Sequence, residues 1–197
     1  IFFFFQMSGI NIVLFYSTTI FIASGGKMDS GISSITIGFV GFLSSFFGSF
    51  FLDKFGRRIL ITWSYCLVLI SLCGIGCFFI LQDFEVINSE SLQCLPLTSL
   101  ALFISAFNFG VSPTSFALYG EVFADQAKKF LAPLCQTLNW FFVFLVGITF
   151  PILISSIGMG LTFIIFIVIT FFAIIFALFY VPETKGKTQS EIFEMLS

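Results

Sequence analysis

A chain of 197 residues that is 58% hydrophobic and 9% charged, with a mean hydropathy of +1.13, has too few polar side chains to cover a water-soluble surface. The net charge of -2, with no long basic cluster, excludes an electrostatic nucleic-acid partner. There is no histidine, and the five cysteines show no ligand or disulfide spacing, so neither a metal centre, a bound cofactor nor a disulfide scaffold is expected.

A membrane-crossing helix takes roughly 20 mostly apolar residues at about 1.5 Å each. Six stretches meet that length: 1–23, 33–52, 59–81, 96–122, 133–155 and 160–181. The first starts at Ile1 inside an apolar run, with no Met and no cytoplasmic lead-in, and reads as a fragment whose upstream part is missing. A signal peptide is disfavoured, because no basic segment precedes the run and Gln6, Ser8 and Asn11 interrupt it. Seven of the eight Lys and Arg residues fall in alternate connections: Lys54, Arg57 and Arg58 after the second stretch, Lys128 and Lys129 after the fourth, Lys185 and Lys187 after the sixth. Residues 82–95 carry Asp83, Glu85 and Glu90 and no base. The positive-inside bias puts the basic connections and both ends of the chain in the cytoplasm.

Helix breakers and small residues refine these spans. Gly38, Gly41, Ser44, Ser45 and Gly48 give the second span a small-residue face for close packing. Pro113 and Pro151 lie within spans and permit bending, Pro96 and Pro133 mark helix starts, and Pro182 marks a helix end. Trp63, near the inner end of the third span, reads as an interfacial anchor. Phe contributes 33 residues, an excess attributable to drift at lipid-facing positions. Cys66, Cys73, Cys77 and Cys135 fall within spans and Cys94 at a boundary, as packing or lipid-facing residues.

Polar groups in hydrocarbon cost free energy unless they find partners or line a wet cavity. Here they are Gln6, Asn11, Asn108, Glu121, Gln136 and Asn139. Residues five apart on an ideal helix lie about 140° apart, so Gln6 and Asn11 share a face only if Ser8 and Gly9 distort the first span. Two readings stay open for the amides: donors and acceptors for a hydroxylated ligand, or hydrogen-bonding glue between helices.

The stretch from Phe4 to Tyr16 (FFQMSGINIVLFY) resembles the Q-Q-x-S-G-I-N-x-x-x-x-Y signature of sugar transporters in the major facilitator superfamily. Further matches follow in the family's order. Residues 53–58 (DKFGRR) are similar to its D-x-x-G-R-R loop, and Glu121 with Phe123 and Lys128 resembles E-x-F-x-x-x-x-R. Asn139-Trp140 resembles its N-W pair, and residues 182–188 (PETKGKT) resemble its P-E-T-K-G-x-T tail. The wording is nearest the insect facilitated trehalose and hexose carriers.

The resemblance implies an all-α membrane protein: six transmembrane helices over 1–182, forming the C-terminal bundle of a twelve-helix fold, and a cytoplasmic tail over 183–197. The N-terminal six-helix half would be its missing partner. It further implies that Gln6, Asn11, Asn139, Trp140 and Phe116 face a sugar. Asp53, Arg57, Arg58, Glu121, Lys128 and Glu183 would form an inner gate, and Gly9, Pro113 and Pro151 would be hinges. Departures from the pattern are Phe5 for the first Gln, Gly41 for an amide in the second span, Ser112 to Phe116 for G-P-x-P-W, Val143 for a second Asn and Ala124 for a Pro. The expected function is facilitative transport of hexose or trehalose by alternating access, in the plasma membrane and without enzymatic activity. Rival readings are a carrier of another small organic solute, or a non-transporting nutrient sensor or decayed copy.

Overall fold

In hydrocarbon every backbone N–H and C=O must be paired within its own segment, so a continuously apolar chain is driven into helices. The computed structural model describes residues 1–24, 30–84, 94–123, 125–187 and 191–192, and among them it is all-helical. The elements are α1 (Phe2–Met7), α2 (Ile10–Ala23), α3 (Ser30–Phe55), α4 (Arg57–Asp83), α5 (Cys94–Ala106), a π-helical segment (Phe107–Val111), α6 (Ser112–Val122) and α7 (Asp125–Tyr180). Five helical stretches among the described residues are long and apolar enough to cross a membrane.

The first stretch, Phe2–Ala23, is not one straight rod. At Gly9 the backbone turns to φ 95°, a left-handed conformation that costs glycine little, and α2 restarts from it. The fourth, Leu95–Val122, carries the π segment where the chain meets Pro113, whose missing N–H leaves the Phe109 carbonyl without its usual helical donor.

The last stretch, Lys128–Tyr180, has 53 residues and would be roughly 80 Å long if straight, far more than a bilayer core. It is broken at Gly158, where φ 83° and ψ 169° leave the helical region. Leu145 and Val146 from before the break line one cavity with Ile165 and Ile169 from after it, so the two arms run back along each other. Phe150 closes that hairpin by ring contact with Phe163 and Phe166, with centroids 6.4 Å apart in each case. The break falls within the expected connection at 156–159, whereas Pro133 and Pro151 both sit inside helical backbone. Pro133 therefore does not start a helix. The chain enters α7 eight residues earlier, at Asp125, and a proline can be carried where neighbouring segments satisfy the freed carbonyl.

At the centre lies α4, packed on α5 and on α7. Phe78, Phe103, Phe107, Phe150 and Phe163 are fully buried there, and the Phe79 and Phe163 rings stack at 5.8 Å. The phenylalanine excess is thus partly core and not only lipid-facing drift. By contrast, α3 keeps Phe39, Phe42, Phe46, Phe47 and Phe50 exposed. Of its small-residue face, Gly41 and Gly48 make close approaches to the π-helical region, while nothing lies near Gly38.

Candidate substrate site and charge cluster

The break at Gly9 shapes the first group of polar side chains. Ser8 Oγ donates to the Phe5 carbonyl (2.9 Å) and Gly9 N to the Gln6 carbonyl (3.2 Å), which closes α1 before α2 begins. The reorientation puts Gln6 and Asn11 on one side of the chain, where Asn11 Nδ2 donates to Gln6 Oε1. Gln6 Nε2 in turn donates to Asn139 Oδ1 across to α7, at 2.7 Å. Gln6 is 3% exposed and Asn139 5%. The result is a relay of three amides through α2, α1 and α7. Each interior link is satisfied, and among the described residues no hydrogen bond engages the carbonyl of Asn11 or the NH₂ of Asn139, which are left for other partners. Tyr16 Oη donates to the Gly147 carbonyl (3.1 Å) and ties α2 to the same arm of α7.

Aromatic rings gather around the residue that precedes Gln6. Phe5, buried next to Gln6, packs edge-on against Phe107 at 4.8 Å and Phe116 at 5.8 Å. Phe116, 44% exposed, is thereby packed on the residue that precedes Gln6. Trp140 is not brought to the amides. Successive helical residues differ by about 100°, so burial of Asn139 turns its neighbour outward, and Trp140 is 62% exposed.

Sequence reasoning assigned no site role to three further polar residues, one in the π segment and two in the first turn of α6. Asn108 lies in the π segment, its Nδ2 3.0 Å from the point where a Cβ on Gly41 would stand. Thr114 and Ser115 are fully buried, and their hydroxyls have no hydrogen-bond partner among the described residues. The available signal was a run of polar residues, Ser112 to Ser115, inside an otherwise apolar span.

A second group gathers at the end of the bundle where α3 passes into α4. Arg57 Nη2 pairs with Glu121 Oε1 at 3.0 Å, with side chains 13% and 30% exposed. Glu121 Oε2 also accepts from Thr184 Oγ1 at 2.5 Å. Glu183 caps α4 from a distance of 126 residues along the chain. Its Oε1 accepts from Arg57 N (2.9 Å) and Lys185 N (3.1 Å), and its Oε2 from Arg58 N (3.2 Å). The cap residue itself is Gly56, which has no side chain to offer. Lys185 Nζ reaches the Lys54 carbonyl at 2.6 Å, and an Arg58 Nη2 donor bonds the Leu178 carbonyl. Lys128 donates to the Gly120 carbonyl (3.1 Å), and among the described residues it meets no carboxylate of the cluster. The side chain of Asp53 lies outside the described residues.

A family model described as "Sugar (and other) transporter" matches residues 1–196. The chain is 35% identical over 187 residues to the facilitated trehalose transporter Tret1 of Bombyx mori, covering 95% of this chain and 37% of that protein. It is 35% identical over 190 residues to trehalose transporter 1 of Drosophila melanogaster, covering 96% and 22% respectively. The fold matches that of XylE, a proton:xylose symporter of the major facilitator superfamily, solved bound to 6-bromo-6-deoxy-D-glucose. The TM-score is 0.84 at 24% identity, over 100% of this chain and 41% of the other. The chain thus spans between about a fifth and two-fifths of these proteins.

Proposed function

The chain belongs to the sugar (and other) transporter family, and we propose on that basis that it is the C-terminal bundle of a carrier that moves a sugar by facilitative alternating access. The buried amide relay Gln6–Asn139 with Asn11 carries this reading. An uncharged polyol offers directional hydrogen bonds and no ion pair, and amides present both donors and acceptors at fixed angles. The carbonyl of Asn11 and the NH₂ of Asn139 supply those groups, and Phe116 offers an aromatic wall to the apolar face of a sugar ring. Trp140, on the outward face, belongs to a surface that closes against a second six-helix bundle lying upstream of this chain.

In this proposal residues 1–182 cross the membrane six times, with the two arms of α7 counted separately. Residues 183–197 and both ends face the cytoplasm of a plasma membrane, following the distribution of Lys and Arg. The Arg57–Glu121 pair and the Glu183 cap act as an inner latch, with Arg58, Lys128 and Asp53 around it. A pair of this exposure is worth about 1 kcal/mol, weak enough to release during each cycle. Gly9, Pro113 and Pro151 are the points at which the helices bend during closure. The role is transport, with no enzymatic step.

Uptake of radiolabelled trehalose and glucose by carrier-deficient cells expressing the full-length protein tests this. Losing one neutral hydrogen bond costs about 0.5–1.5 kcal/mol, so Gln6→Ala and Asn139→Ala should each raise KM about 2- to 10-fold. Saturable uptake insensitive to both substitutions would remove the relay from the site, and residues 1–197 alone should give no saturable uptake. Phe5, Gly41, Phe116 and Val143 replace polar or indole groups of the family pattern and favour a second reading, a carrier of a different small organic solute. Absence of uptake of either sugar, with the protein at the cell surface, would support that reading or a non-transporting sensor.

A further inference from the structure

Two cavities lie on either side of Trp63 at the same end of the bundle as the charge cluster. One, of about 220 Å³, is wholly apolar and is walled by Phe55, Leu60 and Phe109. The other, of about 270 Å³, is lined by Arg58, Thr62 and Leu178. Both share Ile59 and Trp63, so they form one trough with an apolar half and a cationic half. Trp63 stands between them 69% exposed, six residues after Arg57 in α4, and an exposed indole near the end of a membrane-crossing helix suits the headgroup layer.

The charges beside the trough are unevenly committed. Glu121 is held by Arg57 and Thr184, and Glu183 by three backbone N–H groups. Among the described residues Arg58 uses one of its five N–H donors, on the Leu178 carbonyl. Lys54 and Lys185, joined by the Lys185 bond to the Lys54 carbonyl, sit at the same corner. A positive edge beside a narrow apolar slot is complementary to a molecule with a negative head and a hydrocarbon tail.

We propose that this trough seats one membrane phospholipid with an anionic headgroup, its phosphate and headgroup charge on Arg58 and an acyl chain between Phe55, Ile59 and Phe109. The proposal rests on the reading that this end faces the cytoplasm, where anionic lipids are concentrated. Seated there, the lipid would hold the start of α4 against the end of α7, next to the Glu183 cap.

Brominated-lipid quenching tests the seat directly. The full-length protein, with Trp63 as its single tryptophan, is reconstituted in phosphatidylcholine vesicles containing equal fractions of dibrominated phosphatidylserine or dibrominated phosphatidylcholine. Both leaflets carry the probe, so the result depends neither on orientation nor on transport. The serine lipid should be preferred about fivefold, the factor expected for one basic residue near the surface. Arg58→Gln should reduce the preference to about onefold and Arg58→Lys should largely keep it, and raising the salt should shrink it in the unsubstituted protein. Equal quenching by the two lipids, a preference indifferent to Arg58→Gln and salt, or no quenching by either lipid because another protein surface covers Trp63, would each overturn the proposal.

Discussion

Replacing Glu183 by Ala removes the cap that holds α4 to the segment following α7. Three backbone donors lose their acceptor: Arg57 N at 2.9 Å, Lys185 N at 3.1 Å and Arg58 N at 3.2 Å. Loss of a helix cap costs about 0.5–2 kcal/mol, and an anion near a helix N-terminus adds about 0.3–1 kcal/mol. Water reaches the exposed Arg58 end and compensates part of the loss, so a total of about 2 kcal/mol is expected. For a protein of 150–250 residues about 2–4 °C follows per kcal/mol, which gives a fall in Tm of roughly 4–8 °C. Size-exclusion thermostability in detergent measures this, and Glu183→Gln, which keeps one carbonyl oxygen for the Arg57 and Lys185 donors, should fall by about half as much. A Glu183→Ala melting point within about 1 °C of the parent protein would refute the capping argument.

Gly48→Ala should be poorly tolerated, because its Cβ would stand 2.3 Å from the Phe109 carbonyl oxygen, whereas Gly38→Ala meets nothing within 4 Å. Overpacking of that kind costs about 1–3 kcal/mol, and paired thermal melts of the two variants will show whether only Gly48 is sensitive. Gly158→Ala forces an L-residue to φ 83° and ψ 169°, a region essentially reserved for glycine, and should cost about 1–3 kcal/mol, read as reduced monodisperse yield relative to Gly147→Ala. Reversing Arg57 and Glu121 together (R57E with E121R) should restore uptake lost in either single variant; failure of the double variant to recover would argue that their 3.0 Å pair is incidental.

Local signals made much of this fold legible. A Ser8-Gly9 step inside an apolar run announced a break in the first span, and the chain breaks there, at φ 95°. The uncharged link at 156–159 holds the bend at Gly158. What local signals could not reach was set by partners far away in the chain. Nothing around Glu183 indicates that it caps residues 57 and 58, since that contact depends on α7 doubling back. The N-W resemblance names Asn139 and Trp140 together, and the helical step of about 100° that buries Asn139 while leaving Trp140 62% exposed is set by the packing of α7 and not by the motif. Asn108 and Gly41, noted separately in sequence, prove to be neighbours only once α3 lies against the π segment.

The 126 residues separating Arg57 from Glu183 also set a clock on biosynthesis. At ribosomal rates of about 5–20 residues per second, the start of α4 emerges some 6–25 s before its acceptor is made. During that interval the backbone N–H groups of Arg57 and Arg58 lack this acceptor and are open to water or chaperones. Synonymous changes that slow translation between α4 and residue 183 would lengthen this exposed stage without altering a single side chain.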